Sequence, residues 1–557
     1  MKITASEGRC LVLLLLVQLL MMVIIQPAGN FPLNDDWAYS HSVEWLLSEG
    51  RIRLSDWIAP NLLPQTLLGA SLSYFAGFSF ENLRHLTQFI SLMTSVAVFF
   101  WFRVGRLSSV ESLIAVLLVI SMPSWPVLAN SYMSDLYGML FAVVGATLLL
   151  RSLKKPSAGL IISATVVLSI GMLQRQVVVV IPLAFLLAWL WEHRRWAPGI
   201  LFFGILPLLG AVVTELVYFA YLSSGPGVPE AQKISNDRLI PFLLQFLFGE
   251  GGRRQAVLFN IISMVSYLGL FIAAWAAWWG ARVDSKNSRV LWAVLLLSVA
   301  IATLLTSWLP PYLANNTIDS AGIGPFTLYD GLPRELGNQH RQAGFIWPLA
   351  GVVAVFGISA IVVLLFKSIK RVSGGRSRAD AQMVFTLAVI TAYSAPFLIT
   401  AFFDRYLLFI LPFVLLLWSQ VWQRPENKGT FKFQQPLALV WIGVVLILSS
   451  IATHDYFAWN RARWAAIRYA ESIGASPDTL DGGFEYNGYY RFEQKPRIRV
   501  SGKSFWWVKD DEYAVTFSEV PGYEPLRSFP VDRYSNRTQP EILLMHRKTT
   551  EGKPKSK

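Results

Sequence analysis

The sequence has 557 residues, of which 54% are hydrophobic and only 15% are charged, and its mean hydropathy is +0.46. An ordinary soluble domain carries about 25% charged residues to cover its surface, so this composition excludes a soluble globular protein. The net charge of +13 lies mainly in short loops between apolar runs. This pattern is typical of loops that face an anionic membrane leaflet and does not indicate a nucleic-acid partner.

Apolar runs long enough to cross a bilayer recur along the whole chain. A helix needs roughly 17 to 25 apolar residues to span a hydrocarbon core about 30 Å thick. We predict thirteen crossings, near residues 11–28, 85–102, 110–128, 136–150, 158–173, 177–191, 198–220, 256–281, 290–308, 344–366, 382–403, 406–422 and 436–453. The predicted fold class is therefore a polytopic α-helical membrane protein.

The first crossing has an alternative interpretation. Lys2 and Arg9 precede its apolar run and "QPAGN" follows it, as in a cleaved secretory signal peptide. We favour a crossing, because the run is long and no clear small-x-small cleavage site follows. Both interpretations place the next residues outside the cytoplasm.

The segment 61–80 is apolar but contains Pro64, Gln65, several serines and two glycines. If it is an interfacial or re-entrant helix, the short basic loops and the N-terminus lie on the same side of the membrane and together hold 20 of the 48 Lys and Arg residues. The longer opposite loops then hold 11 and the C-terminal tail 17. The positive-inside rule makes the basic side cytoplasmic, so we predict that 61–80 does not cross.

This topology predicts two domains. Residues 1–453 form the transmembrane domain, which includes an extracytoplasmic loop at 29–84, and residues 454–557 form an extracytoplasmic C-terminal domain. In the tail, apolar residues recur at helical spacing from 454 to Gly474, which predicts a helix. The runs "TLDGGFEYNGYY", "RIRVSGKSFWWVKDDEYAVTFSEV" and "EILLMHRK" read as short β-strands, so we expect a small α+β domain.

Two adjacent acids follow the first crossing in "NDDWAYSHSVEWLLSEG". Asn34 or Asp35 could cap a helix whose apolar stripe lies on the membrane surface, and acids complement its dipole. That explains one acid better than two, since adjacent like charges raise each other's pKa unless a cation or a substrate group lies close. We favour a functional role for Asp35 and Asp36.

Three further charged residues are predicted on the same outer face. Asp135, in "NSYMSDLYGML", begins an apolar helix and is either a cap or part of a site with the first two acids. Arg175 and Arg405 stand between apolar runs with almost no loop. Each could extend to lipid headgroups, and Arg405 could pair with Asp404; alternatively they form a clamp on a phosphate at the membrane surface.

At these residues the sequence resembles the GT-C class of integral-membrane glycosyltransferases, in particular the superfamily of protein O-mannosyltransferases and the lipid A aminoarabinose transferase. The motifs are "DDWAY" after the first crossing, "SDWIAP" at 55–60, "MSD" at 133–135 and "DRYLLFILP" at 404–412. They occur in that order between residues 11 and about 453. The aminoarabinose branch also has a Phe-Glu-Lys-Pro-like element, and here "NLLPQTLLGAS" offers no acid in its place.

The resemblance implies transfer of a sugar, hexosyl or pentosyl, from a polyprenyl phosphate carrier to a glycan, lipid or protein acceptor at the outer face of the inner membrane. Asp35 would be the general base. Asp36 and Asp135 would orient the acceptor or bind a divalent cation (Mg²⁺, Mn²⁺ or Zn²⁺). The remaining implied site residues are Arg175, Arg405 and Tyr406 for the lipid phosphate and Tyr39, Asp56 and Trp57 for the acceptor or donor loop.

Two other functions are compatible with a multi-pass protein of this kind. A flippase for a lipid-linked intermediate would need charged residues at mid-membrane depth, but the crossings are nearly free of charge apart from Glu215. A polysaccharide polymerase or ligase would also use a lipid-linked donor and long outer loops. We favour the transferase.

Overall fold

A computed structural model describes residues 3–193, 199–249, 252–280, 317–319, 322–328, 346–374, 378–400, 403–422, 434–494, 507–508, 510–535 and 541–548. These ranges are mostly helical. The α-helices are α1 (Ala5–Ile25), α2 (Asp36–Glu49), α3 (Leu63–Ala76), α4 (Phe80–Val104), α5 (Ser109–Ser121), α6 (Ser124–Ala129), α7 (Asp135–Lys154), α8 (Ala158–Gln174), α9 (Val180–His193), α10 (Leu206–Ser224), α11 (Glu230–Phe248), α12 (Gly252–Gly280), α13 (Ile346–Gly374), α14 (Arg378–Ile399), α15 (Leu407–Val421), α16 (Gln434–Ser472) and α17 (Phe484–Arg491). Short 3₁₀ segments cover Gln176–Val179 and Asp404–Tyr406, and a π-helical turn covers Ile200–Ile205.

The predicted fold class is confirmed, since the chain is an integral membrane protein built from helices. Within the described ranges, 10 helical segments are long and apolar enough to cross a membrane, and α5 and α8 are shorter apolar helices. Together they account for every predicted crossing except the one near 290–308, which lies outside the described residues. The total of thirteen therefore stays a prediction.

Two segments show how local sequence sets helix length. The predicted crossing 110–128 is divided into α5 and α6 at "SMPSWP", because proline lacks the amide that would continue the hydrogen-bond ladder. The doubtful segment 61–80 forms α3, with 14 residues. At 1.5 Å per residue α3 is about 21 Å long, which is shorter than the hydrocarbon core and agrees with a helix that does not cross.

The crossing helices separate a lipid-facing surface from a packed interior. On α1, Val12, Leu16 and Leu20 recur every fourth residue and are more than half exposed, whereas Leu14 and Met21 are buried. Exposed apolar side chains in that pattern face lipid, because lipid tails are as apolar as the side chains themselves. Helix α15 is the opposite case, since all its residues from Leu407 to Trp418 are buried.

The predicted crossing 436–453 and the predicted helix beyond it form one continuous helix. Helix α16 has 39 residues and is therefore about 58 Å long, roughly twice the hydrocarbon thickness. The strands are β1 (Ile318–Asp319), β2 (Gly322–Ile323), β3 (Leu480–Asp481), β4 (Tyr513–Thr516), β5 (Tyr523–Pro530) and β6 (Glu541–Arg547). The second half of α16 packs against a small sheet with strand order β3-β4-β6-β5, where β3 and β4 run parallel and the other neighbours run antiparallel. Strands β1 and β2 form a separate pair.

The strand predictions in the tail were partly wrong. "FEYNGYY" is not a strand but helix α17, which begins after Gly483 at a φ of +86°; a residue with that backbone ends the short strand β3 and turns the chain. Strand β5 was missed because Pro525 and Pro530 argue against a strand. Proline is tolerated there because β5 is an edge strand, where an amide can be absent without breaking a ladder on both sides.

Candidate functional site

Asp35 occupies the position just before helix α2, yet its carboxylate makes no capping hydrogen bond. Its Oδ1 accepts the indole N–H of Trp57 at 2.8 Å, and its Oδ2 lies 3.6 Å from Nη2 of Arg405. The side chain is 15% exposed. Asp35 thus occupies the predicted N-cap position, but its carboxylate is directed at an indole and a guanidinium and does not cap the helix.

Asp36 lies in a different environment from its neighbour. It is 2% exposed, and its Oδ2 accepts the backbone N–H of Leu33 at 3.2 Å. Burial raises the pKa of Asp36 to about 7, although the guanidinium of Arg84 opposes this shift. The two adjacent acids thus differ in role, since Asp35 borders the charged cluster and Asp36 belongs to the protein interior.

Asp135 is the first residue of α7 and pairs with Arg175 from the end of α8. Nη1 of Arg175 lies 2.6 Å from Oδ1 of Asp135 and also donates to the hydroxyl of Ser134 at 3.2 Å. Oδ2 of Asp135 is buried and has no hydrogen-bond partner among the described residues. Gly138 lets Arg175 lie across α7, because a Cβ at that position would stand 2.8 Å from Cδ of Arg175.

Arg405 and Tyr406 complete the cluster from the turn that precedes α15. Arg405 is 6% exposed, and its Nε and Nη1 have no hydrogen-bond partner in the described part of the chain. The carboxylate of Asp404 accepts the amide N–H groups of Thr317 and Arg405, whereas the guanidinium of Arg405 is near Asp35. The ring of Tyr406 lies between the two cations, 5.7 Å from Cζ of Arg175 and 5.8 Å from Cζ of Arg405, within the range of a cation–π contact.

We define the charged cluster as Asp35, Asp135, Arg175 and Arg405, with the ring of Tyr406. Its two carboxylates and two guanidinium groups carry no net charge. Tyr39, buried in α2, is acted on by all four charges, and burial raises its pKa, so its hydroxyl stays protonated. The structure thus brings together residues that are up to 371 positions apart in the sequence.

The other two predicted residues of the "SDWIAP" motif have different neighbours. Trp57 borders the charged cluster through its hydrogen bond to Asp35, and its ring contacts those of Trp37 and Phe492 at centroid distances of 6.0 and 5.4 Å. Asp56 instead accepts the amide N–H of Glu230 at 3.2 Å, at the start of α11. Asp56 therefore connects this loop to α11.

Solved structures of membrane glycosyltransferases resemble this chain. ArnT from Cupriavidus metallidurans, in a crystal with undecaprenyl phosphate, matches at 12% identity over 99% of this chain and 100% of its own, with a TM-score of 0.41. The oligosaccharyltransferase of Archaeoglobus fulgidus, in a complex with zinc and sulfate, matches at 14% identity over 74% of this chain and 54% of its own, with a TM-score of 0.30. Both belong to the GT-C class that the motifs resemble. No family model and no curated protein matches the sequence.

Among the described residues, the charged cluster supplies no complete set of ligands for a divalent cation. Metal ions of this kind need several oxygen ligands that are free of competing cations, but each carboxylate of the cluster already faces a guanidinium. Asp36, predicted as a ligand together with Asp135, directs one oxygen to the Leu33 amide. Among the residues that the structure describes, no group of three or more His, Cys, Asp or Glu side chains is placed to hold a metal ion.

Two buried arginines that the sequence analysis did not single out hold the loop that carries Asp35. Arg84 donates to the carbonyls of Pro27 and Gly29, at 2.9 and 2.8 Å, and to that of Phe31 at 2.9 Å. Arg463 pairs with Glu485 at 2.6 Å, with both side chains fully buried. Nothing in the sequence around these residues distinguishes them from surface charges, since only the packing of distant segments buries them.

Proposed function

We propose that this chain is an inverting glycosyltransferase, hexosyl- or pentosyl-type, that uses a polyprenyl phosphate-linked donor and acts at the extracytoplasmic face of the plasma (inner) membrane. The observation that carries this proposal is the pairing of Asp35 with Arg405. A partly exposed carboxylate lies 3.6 Å from a buried guanidinium that has two nitrogens without a hydrogen-bond partner among the described residues. Transfer from a lipid phosphate requires a base for the acceptor hydroxyl and donors for the leaving phosphate, and these two side chains supply one of each.

The reaction exchanges one bond at the anomeric carbon. The acceptor hydroxyl oxygen attacks that carbon while its proton passes to the carboxylate of Asp35. The bond between the anomeric carbon and the phosphate oxygen breaks, and its electron pair stays on the phosphate. The products are the glycosylated acceptor, inverted at the anomeric carbon, and the polyprenyl phosphate monoester.

The guanidinium groups take the charge that develops on the leaving phosphate. Nε and Nη1 of Arg405 are buried donors, so an oxyanion in front of them replaces no hydrogen bond to the described part of the chain. Arg175 is held by Asp135 and shares the ring of Tyr406 with Arg405, which brings a second cation to the same place. Buried donors that are already oriented stabilise such charge without reorganisation during the reaction.

The positions of these charges favour surface chemistry over transport. Asp135 and Arg405 stand at helix starts and Arg175 at a helix end. A path through the bilayer would instead need charged groups near its middle. Glu215, the one acid noted within a crossing, accepts the side-chain amide of Asn61 at 2.6 Å, from the loop that precedes α3.

The test is transfer from a synthetic polyprenyl phosphosugar by the purified protein in detergent. The Asp35→Asn variant should lose turnover by a factor of about 10² to 10⁴, as expected for a general base, while its expression and elution profile match the parent. Asp237→Asn, at an exposed position on α11, is the matched control and should keep parental turnover.

The product identifies the reaction class. Release of polyprenyl monophosphate together with glycosylated acceptor supports the proposal. Transfer of a whole glycan from a polyprenyl diphosphate-linked oligosaccharide, supplied in a parallel assay, with release of polyprenyl diphosphate, would assign the chain to a ligase or polymerase. Movement of the intact donor between leaflets of a vesicle, without its cleavage, would assign it to a flippase.

A further inference from the structure

The residue directly before Asp35 has an unusual backbone. Asn34 has a φ of +54° and is 8% exposed. Asparagine is one of the few residues besides glycine that adopt this left-handed conformation, and it does so at a modest energetic cost. Whatever fixes Asn34 therefore also fixes the direction in which the Asp35 side chain leaves the chain.

The group that holds Asn34 comes from the far end of the sequence. Oε1 of Glu485, in α17, accepts the backbone N–H of Asn34 at 3.0 Å. Oε2 of the same carboxylate pairs with Nη1 of Arg463 at 2.6 Å and accepts the hydroxyl of Thr327 at 2.7 Å. Both charged side chains are fully buried, so bulk solvent does not reach the carboxylate.

Arg463 is itself fixed on the tail. Its Nε donates to the carbonyl of Gly482 at 2.8 Å, one residue before the turn that starts α17. Residue 483 adopts a φ of +86°, and a Cβ there would stand 2.4 Å from the carbonyl oxygen of Thr327. The tail, the segment around residue 327 and the loop around residue 34 are thus joined at one buried carboxylate.

We propose that Glu485 is a positioning residue for Asp35 and that Arg463 holds it in place. This inference rests on the proposed function, in which Asp35 is the base. Glu485 acts through the Asn34 amide and not on the substrate. The Glu485 contact makes the geometry of the base depend on docking of the C-terminal segment, although Glu485 and Asp35 are about 450 residues apart in the chain.

The test separates the Asn34 hydrogen bond from the ion pair. In the double variant Glu485→Met with Arg463→Met, both buried charges are replaced by apolar side chains of similar length, which avoids leaving one charge unpaired. In Glu485→Gln with Arg463→Met, the amide oxygen can accept the Asn34 N–H again. The two variants have the same charge and nearly the same volume, so they differ mainly in this one acceptor.

Two measurements are made on each protein. The first is hydrogen exchange, by mass spectrometry, of a peptide that contains the amides of residues 34–36. The second is kcat and KM for transfer. The Met/Met variant should exchange at least about tenfold faster at that peptide and lose kcat by about 10²-fold, the loss expected for a misplacement of roughly 1 Å, with the donor KM within about twofold. The Gln/Met variant should restore both values towards those of the parent.

A second ion pair, in which the glutamate is buried and the arginine is partly exposed, serves as the control. Glu7 and Arg103 pair at 2.8 Å at the opposite end of the bundle, and Glu7→Met with Arg103→Met should leave both readouts unchanged. If the Met/Met variant at Glu485 does not fold, Glu485→Asp withdraws the carboxylate from Asn34 by one methylene and retains the charge; it should show the same faster exchange and lower kcat.

The outcomes distinguish this inference from the proposed function. Parental exchange at residues 34–36 in the Met/Met variant would overturn the inference even if the parent transfers sugar. Equal impairment of the Met/Met and Gln/Met variants would also overturn it, because the ion pair would then matter and the Asn34 bond would not. If the parent shows no transfer but exchange rises only in the Met/Met variant, the positioning stands and the proposed function fails.

Discussion

Replacement of Gly138 by alanine moves the Arg175 side chain without changing any charged residue. A Cβ at position 138 would stand 2.8 Å from Cδ of Arg175 and 3.2 Å from its Cγ, whereas ordinary contacts begin at 3.4 Å. The stem of Arg175 must therefore shift by about 0.6 Å or more, since Cδ is the part of the chain that carries the guanidinium. The 2.6 Å contact between Arg175 and Asp135 must then be re-formed from a displaced side chain.

The effects of Gly138→Ala on stability and on activity should separate. Alanine is favoured over glycine in a helix by about 1 kcal/mol, and overpacking costs roughly 1 to 3 kcal/mol, so the net change in the free energy of unfolding should be small. Misplacement of a substrate-positioning group by about 1 Å costs up to roughly 10²-fold in rate. We therefore expect turnover to fall by about 10- to 100-fold while the melting temperature changes by only a few degrees.

The assay compares transfer rate, affinity for a polyprenyl monophosphate and thermal unfolding in detergent. Gly351→Ala is the matched control, because Gly351 lies within α13 and a Cβ there meets nothing within 4 Å. It should keep parental turnover and affinity. If Gly138→Ala also keeps both, then the placement of Arg175 across α7 is not needed for phosphate binding, and the role given to Arg175 is wrong.

Two further predictions concern stability. Burial raises the pKa of Asp36 from 3.8 to about 7 in the folded state. Between these pH values the folded state therefore holds a proton that the unfolded state releases. The free energy of unfolding of the parent should fall as pH rises from about 4 to 7, by up to roughly 4 kcal/mol. Asp36→Asn should remove this dependence, and melting curves at pH 5 and pH 8 that differ as much in the variant as in the parent would contradict it. Gly488→Ala would place a Cβ 2.5 Å from the buried ring of Trp37 and should destabilise the docked tail by about 1 to 3 kcal/mol. Thermal unfolding measures this loss, and Gly443→Ala, whose Cβ meets nothing within 4 Å, is the control that should show none. Equal melting temperatures for the two variants would refute the tight contact.

Several features of this protein follow from local sequence alone. The positions of the crossing helices depend on runs of apolar residues, because a lipid-facing backbone must satisfy its hydrogen bonds within one helix. Pro123 and Pro126 similarly decide the break between α5 and α6. The sequence also indicated candidate site residues, because a charge at the end of an apolar run is costly and unusual. These were the acid pair, Asp135, Arg175 and Arg405.

Other features were decided only by the tertiary structure. Adjacent acids look equivalent in sequence, yet packing gives Asp35 an indole and a guanidinium and buries Asp36 beneath the loop. The role of Glu485 had no sequence signal, because a glutamate in a polar tail looks like any surface acid until α17 docks beside residue 34. Local patterns determine which helices form and where they end, because both depend on neighbours in the chain. The partner of each charge depends on contacts between segments hundreds of residues apart, and only the folded chain brings those segments together.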